Sequence, residues 1–310
     1  MQLHTNTPLI NSRPLSQIAG RNVWLKMDAL QPSGSFKIRG VGLACQEYYQ
    51  KGARSFISSS GGNAGLAVAY AGRMLGIPVT VVVPETTSKR AIDLLRLEQA
   101  KVIVHGSSWQ EANQLACAMV GDTDAFIHPF DDPLLWKGHA TMIDEVVASG
   151  VRPDAVVLSV GGGGLMCGVM EGLERNGLGD VPVIAVETEG AASFHAAANA
   201  GQSVEIETIS TVATSLGAKR VCNKAVEYAL SRPVVSERVT DASAIRACLQ
   251  FADDHRVVTE PACGAALAGV YEGKAFLDSF SNILVIVCGG ATTTLEQLML
   301  MSARLDIKGA

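Results

Sequence analysis

The sequence predicts an α/β protein whose sheets are parallel and covered by helices on both faces. Two observations carry that prediction. Short β-branched runs alternate with longer amphipathic stretches along almost the whole chain, and the runs are continuously apolar, as strands buried on both faces must be. The separating stretches are about ten to fifteen residues long, enough for the helical crossover that a parallel pair requires.

Taken in order, "SFISSS" precedes the helical pattern "GNAGLAVAYAGRMLG", "VTVVVP" precedes "SKRAIDLLRLEQA", and "KVIVHG" precedes "SWQEANQLACAMVG". "FIHPF" then leads into "DPLLWKGHATMIDEVVASG", a single helical stretch in this reading. After Pro153 come "DAVVLSV", "VPVIAVE" and "NILVIVC", each followed by a helical pattern. No repeat, low-complexity tract or long linker marks a domain boundary. The last helix, "TTTLEQLMLMSARLD", lies so near the end that no appended regulatory domain is expected. Ligands of open parallel sheets gather at the carboxyl ends of strands, so chemistry is sought in the loops that follow these runs.

The composition narrows the partners. With 310 residues, 48% hydrophobic and 18% charged, the chain builds a large core in one sizeable domain or two smaller ones. A net charge of -5 without blocks of like charge argues against nucleic acid, which needs concentrated Lys and Arg, and favours a small molecule. The N-terminus lacks the basic start and apolar stretch of a signal peptide, and no run of about 18 apolar residues occurs. A cytoplasmic protein without membrane association is expected. The seven cysteines, an odd number without CxxC pairs or neighbouring histidines, read as reduced thiols.

Several strand-end loops carry candidate chemistry. "DAVVLSV" runs into Gly161, Gly162, Gly163 and Gly164, which open a helix. Unhindered N–H groups at a helix N-terminus suit an anion, and the spacing is neither a clean GxGxxG nor a GK[ST] loop. It reads as a monophosphate cradle, with a plain tight turn as the alternative. "SFISSS" runs into Ser59, Ser60, Gly61, Gly62 and Asn63, whose hydroxyls, backbone donors and amide suit a carboxylate or a phenolic oxygen, unless Ser60 simply caps the next helix. Cys288 ends the last strong strand and, on its own, reads more readily as a buried small hydrophobe than as a participant. Glu187, leaving "VIAVE", is a cation ligand or a surface residue, and His139 reads as structural. Finally, "QPSGSFKIRGVG" places one ammonium, Lys37, among small and apolar residues, where a solvated lysine on the first turn of a helix is the bland reading. A lysine, a phosphate cradle and a carboxylate loop on an α/β scaffold are together the parts of pyridoxal phosphate chemistry.

The motifs "QPSGSFKIRG", "SSSGGNAG", "PFDDPLLWKGHAT", "SVGGGGL", "EPACGAALA" and "VCGG" stand in one family's order and spacing. Over nearly its whole length the chain resembles the fold type II pyridoxal phosphate enzymes, the tryptophan synthase β-like group, and within them the L-serine/L-threonine dehydratases of the short serine dehydratase kind. The resemblance implies two open, twisted, mainly parallel sheets flanked by helices. It implies a smaller domain, residues 33–132, inserted in a larger one formed by 1–32 and 133–310, with the cofactor between them, and a homodimer. By the same resemblance Lys37 carries the cofactor as a Schiff base and later serves as the base for the α-proton, while Phe36 packs against the ring. Asn63 bonds the phenolic oxygen, Gly161, Gly162, Gly163, Gly164 and Leu165 hold the phosphate, and Cys288 faces the pyridine nitrogen. Ser60, Gly61 and Asn63 line the place of the substrate, with Ser60 a candidate second base. A monovalent cation, usually potassium, is implied near Gly161, Glu187, Ala191, Ser193, Leu216 and Ala218.

The implied activity is β-elimination from L-serine, giving pyruvate and ammonia, and from L-threonine, giving 2-oxobutanoate and ammonia. A neutral Cys288 thiol would leave the pyridine nitrogen largely neutral, which favours elimination over transamination. Gly61 lacks the side chain that related chains often have as alanine, and the expected result is room for the methyl group of threonine. Ala64 stands where many threonine dehydratases have histidine. Among alternatives, a β-replacement enzyme would be expected to carry a TSGNTG-like loop, which is absent; a serine racemase would need a second base. A non-catalytic ligand sensor on this fold could keep the phosphate loop, but the retention of Lys37 argues against it.

Overall fold

The apolar runs become strands because most are buried on both faces, the edge run "KVIV" being the partly exposed exception. The computed structural model describes residues 2–307. Its strands are β1 (Leu9–Asn11), β2 (Asn22–Lys26), β3 (Ser55–Ser58), β4 (Val79–Val83), β5 (Lys101–Val104), β6 (Asp124–Phe126), β7 (Ala155–Ser159), β8 (Val183–Thr188), β9 (Val234–Val239) and β10 (Asn282–Ile286). The helices α1 (Arg13–Ala19), α2 (Lys37–Gln50), α3 (Asn63–Leu75), α4 (Lys89–Leu97) and α5 (Trp109–Ala118) accompany the first six strands. They are followed by α6 (Pro133–His139), α7 (Thr141–Ala148), α8 (Gly164–Arg175), α9 (Ser193–Ala200), α10 (Asn223–Ser231), α11 (Asp241–His255), α12 (Pro261–Tyr271) and α13 (Leu295–Arg304).

The strands form a six-stranded sheet in the order β1-β2-β10-β7-β8-β9 and a four-stranded sheet in the order β5-β4-β3-β6. Every strand pair is parallel except β1 with β2, so the fold is α/β with two mainly parallel sheets, as the sequence predicts. Each sheet has its own core. Val156, Val157, Ile184, Val285 and α12, buried from Pro261 to Val270, fill the larger one. Phe56, Val68, Val81 and the buried face of α2 fill the smaller.

The stretch read as one helix is two. Its helical bonding breaks at Ala140, where the Thr141 hydroxyl donates to the Gly138 carbonyl at 2.7 Å and takes the place of a continuing turn. The first half, α6, packs between α2 and α8. Gly138 and Gly40 bring α6 and α2 into backbone contact: a Cβ on Gly138 would lie 2.6 Å from the Gly40 Cα. One short helix thus holds the start of α2 in a set position relative to the start of α8.

Candidate active site

Strand ends and helix starts converge where the two sheets face each other. Residues 34–36 run back along 288–290, with the Phe36 N–H donating to the Cys288 carbonyl at 3.0 Å and the Gly290 N–H to the Gly34 carbonyl at 2.9 Å. This places Lys37, the first residue of α2, beside the end of β10. Its ammonium donates to the Pro129 carbonyl at 2.6 Å and stands 5.1 Å from the centre of the Phe36 ring. The side chain is half-buried, not splayed into solvent, and burial pushes its pKa down to about 8 against the pull of Cys288 and Glu260. Phe36 is buried and rests on His139, ring centres 4.8 Å apart. His139 has no hydrogen-bond partner among the described residues and is held neutral by burial, consistent with the structural role read from its helix.

The glycines after β7 form the turn into α8. Gly163 has φ +94°, a left-handed conformation that a side chain would strain, and no side chain caps the first turn, which leaves its N–H groups available to an anion. The outer side of the loop is closed. A Cβ on Gly162 would overlap the Phe130 ring, one on Gly161 would lie 3.1 Å from the Leu216 Cα, and Leu165 is buried behind them. Phe130 is itself fixed, its carbonyl accepting from the Trp136 indole at 2.9 Å.

From the smaller sheet, β3 delivers Ser60, Gly61 and Asn63 to the same cleft. Ser60 does not cap α3; its hydroxyl accepts the Gly62 N–H at 3.3 Å, while the cap position is Gly62. Asn63 is buried, with Nδ2 donating to Glu260 at 2.7 Å and Oδ1 accepting from the Ala291 N–H at 3.1 Å. The room expected beside Gly61 is not open. A Cβ there would lie 2.7 Å from Thr87 Cγ2 and 3.3 Å from Val83 Cγ1, so side chains from the end of β4 and its loop already fill it.

Cys288 is buried at the end of β10, its Sγ 3.6 Å from the Ser159 hydroxyl. A hydrogen bond with Cys263, together with burial, holds its thiol well above the ordinary range, so it stays protonated. Glu187 is no surface residue: it is fully buried at the end of β8 and accepts the N–H groups of Phe194 at 2.8 Å and His195 at 2.7 Å. Burial raises its pKa to about 8. Beside it, the Ser193 hydroxyl is buried without a hydrogen-bond partner among the described residues, and Ala191 is buried. The pairing of Ser159 with Val186 carries Gly161 and Glu187 out of adjacent strands, and Ala218 donates its N–H to the Leu216 carbonyl at 2.7 Å.

Glu260 and Thr87 were not singled out by sequence. Glu260 heads the motif "EPACGAALA", and the signal was an acid directly before a proline at a helix start, which reads as ordinary capping. The parts together fit pyridoxal phosphate: a lysine with a depressed pKa, an uncapped helix start for a phosphate, an oriented amide, and a buried thiol at a strand end. A family model described as "Pyridoxal-phosphate dependent enzyme" matches residues 1–289. The chain belongs to this family. Among pyridoxal-phosphate dependent enzymes it is 46% identical to "L-serine dehydratase/L-threonine deaminase" of Homo sapiens, over 98% of this chain and 96% of that one. It is also 46% identical to "L-serine dehydratase" of Dictyostelium discoideum, over 96% and 91% of the two chains. In three dimensions it is similar to a fungal L-serine ammonia-lyase from Rhizomucor miehei, with a TM-score of 0.93 and 37% identity, covering 98% of this chain and 99% of that one. No helix among the described residues is long and apolar enough to cross a membrane.

Proposed function

We propose that the chain is an L-serine/L-threonine ammonia-lyase, converting L-serine to pyruvate and ammonia and L-threonine to 2-oxobutanoate and ammonia. The observation that carries this reading is the Lys37 amine, held in one cleft with an uncapped α8 N-terminus, in a chain so similar to serine dehydratases. Pyridoxal phosphate, when bound, supplies an electron sink for the pair left at Cα when its proton is removed. Phe36 would pack against its ring, and the N–H groups of Gly161 to Leu165 would hold its phosphate. Ser60 and the N–H groups around Gly61 hold the substrate carboxylate, with Asn63 beside them. With a pKa of about 8, Lys37 keeps a larger free-amine fraction near neutrality than an ordinary lysine, which suits Nζ to take the α-proton. The β-hydroxyl leaves as water, and a water molecule later cleaves the C–N bond. The sum is serine to pyruvate plus ammonia, without any redox partner. The protonated Cys288 thiol, a weak donor, would leave the pyridine nitrogen of the bound cofactor neutral and so limit transamination.

The wider reading has the same basis. Residues 33–132 form the smaller domain and 1–32 with 133–310 the larger, supported by the confinement of β3 to β6 to positions 55–126. A monovalent cation, potassium by choice, sits near Gly161, Glu187, Ala191, Ser193, Leu216 and Ala218, supported by the buried Glu187 carboxyl and the orphaned Ser193 hydroxyl. The enzyme acts as a cytoplasmic homodimer.

The test is the absorbance spectrum of the purified protein, followed by L-serine addition with lactate dehydrogenase and NADH as a pyruvate reporter. A visible cofactor band that is lost in Lys37→Ala, with NADH consumed by the wild type, is the expected result. A band with D-serine as product in place of pyruvate would make the enzyme a racemase.

A further inference from the structure

The Asn63 amide has one acceptor and two N–H donors. Its acceptor is used by the Ala291 N–H at 3.1 Å, and one donor is used by Glu260 Oε1 at 2.7 Å. The opposite orientation would set the Ala291 N–H against an NH2 group, so the amide has a single arrangement and a single N–H to spare. We infer that Glu260 is a positioning residue: it locks the Asn63 amide so that this last N–H is presented to the phenolic oxygen of the pyridoxal ring. The inference rests on the cofactor site described above and adds a residue to it.

Glu260 is built for this task. It is 5% exposed at the cap of α12, its N–H directed to the Gly289 carbonyl at 3.4 Å, and its carboxyl also bonds Ser215. Gly290, at φ +144°, lies where any Cβ would overlap the Glu260 side chain, so the second glycine of "VCGG" is the space through which the carboxyl reaches Asn63. Three separated motifs, "SSSGGNAG", "EPACGAALA" and "VCGG", thereby meet at one hydrogen-bonded amide.

The test reads cofactor dissociation constants and the position of the visible band in the wild-type holoenzyme and in Glu260→Gln, Glu260→Met, Asn63→Ala and Asn63→Ala/Glu260→Met. Gln retains an acceptor for Asn63 and should stay within about 2-fold of wild type, whereas Met removes the acceptor at similar volume and should weaken binding about 10-fold with a shifted band. In the Asn63→Ala background, Glu260→Met should add less than about 2-fold, because the carboxyl acts through the amide. Should Glu260→Met fail to fold, Asn63→Asp/Glu260→Gln keeps the pair bonded with the direction of donation reversed, and is expected to fold with a displaced band. Full additivity in the double variant overturns the inference, as does a Glu260→Met protein of reduced stability with unchanged affinity and band, or a reversed pair whose band stays at the wild-type position. A wild type with no cofactor band at all overturns the reading of the site and this inference with it, so the two failures are distinct.

Discussion

A single half-buried amine, Lys37, has the lowered pKa on which the proposed acid–base chemistry rests. In cofactor-stripped protein, the folded chain gives up the Lys37 proton near pH 8, while the unfolded chain keeps it to about 10.5. The unfolded state then binds more protons across that window, so this group makes stability rise with pH from about 8 upward. Urea titrations should show Lys37→Met more stable than wild type below pH 8, by on the order of 2–3 kcal/mol, with the gap closing toward pH 10.5. Cys288 gives a second expectation at this scale. With Cys288 facing the pyridine nitrogen as proposed, the Cys288→Asp carboxylate would stabilise that nitrogen in its protonated form, and the ratio of transamination to elimination should rise when both products are measured; an unchanged ratio removes the thiol from that choice. Lys37 and the four glycines were legible in the sequence because their signal is local: an odd cation in a small-residue run, and a glycine turn after a strand. Glu260 was not, because its partner Asn63 lies 197 residues away.

Helix α6 is the element that aligns the site, since it packs on both α2 and α8 and follows the loop that gives Pro129 to Lys37 and Phe130 to the glycine turn. Gly138→Ala would push α6 off the backbone of α2, destabilising the fold by about 1–3 kcal/mol. Cofactor affinity should fall with it, as measured by equilibrium dialysis, because the Pro129 carbonyl moves away from the lysine. The long apolar strands were read correctly, but β1, β2 and β9 were missed, and β6 lies at Asp124–Phe126, so that only Phe126 of "FIHPF" belongs to it. β1 has only three residues, and "NVWLK" and "VVSERV" mix polar groups into their strands in a way that resembles surface coil. The break at Ala140 escaped because the Thr141 hydroxyl that causes it leaves the helical periodicity intact.

Across the whole molecule, a buried charge cluster ties distant parts of the chain to helix α2. Arg39, fully buried two residues after Lys37, donates to Asp28 at 2.6 and 2.9 Å, to Glu145 at 2.6 and 2.9 Å, and to Thr141 at 3.0 Å. Arg39→Met leaves the buried Asp28 carboxylate without its cation and should destabilise the protein by about 3–5 kcal/mol, seen as a lower urea midpoint. Alternating strands and helices revealed the fold class, yet not the order of strands, because neighbours in a sheet are chosen by packing across hundreds of residues. That order has a consequence in time. β10, the last strand among the described residues, enters the middle of the larger sheet between β2 and β7. A nascent chain that has not reached residue 282 therefore carries two open sheet edges and lacks Cys288, Gly290 and Ala291. Until then those open edges invite aggregation and the site is incomplete, so the enzyme becomes competent only after β10 and the loop behind it have been made.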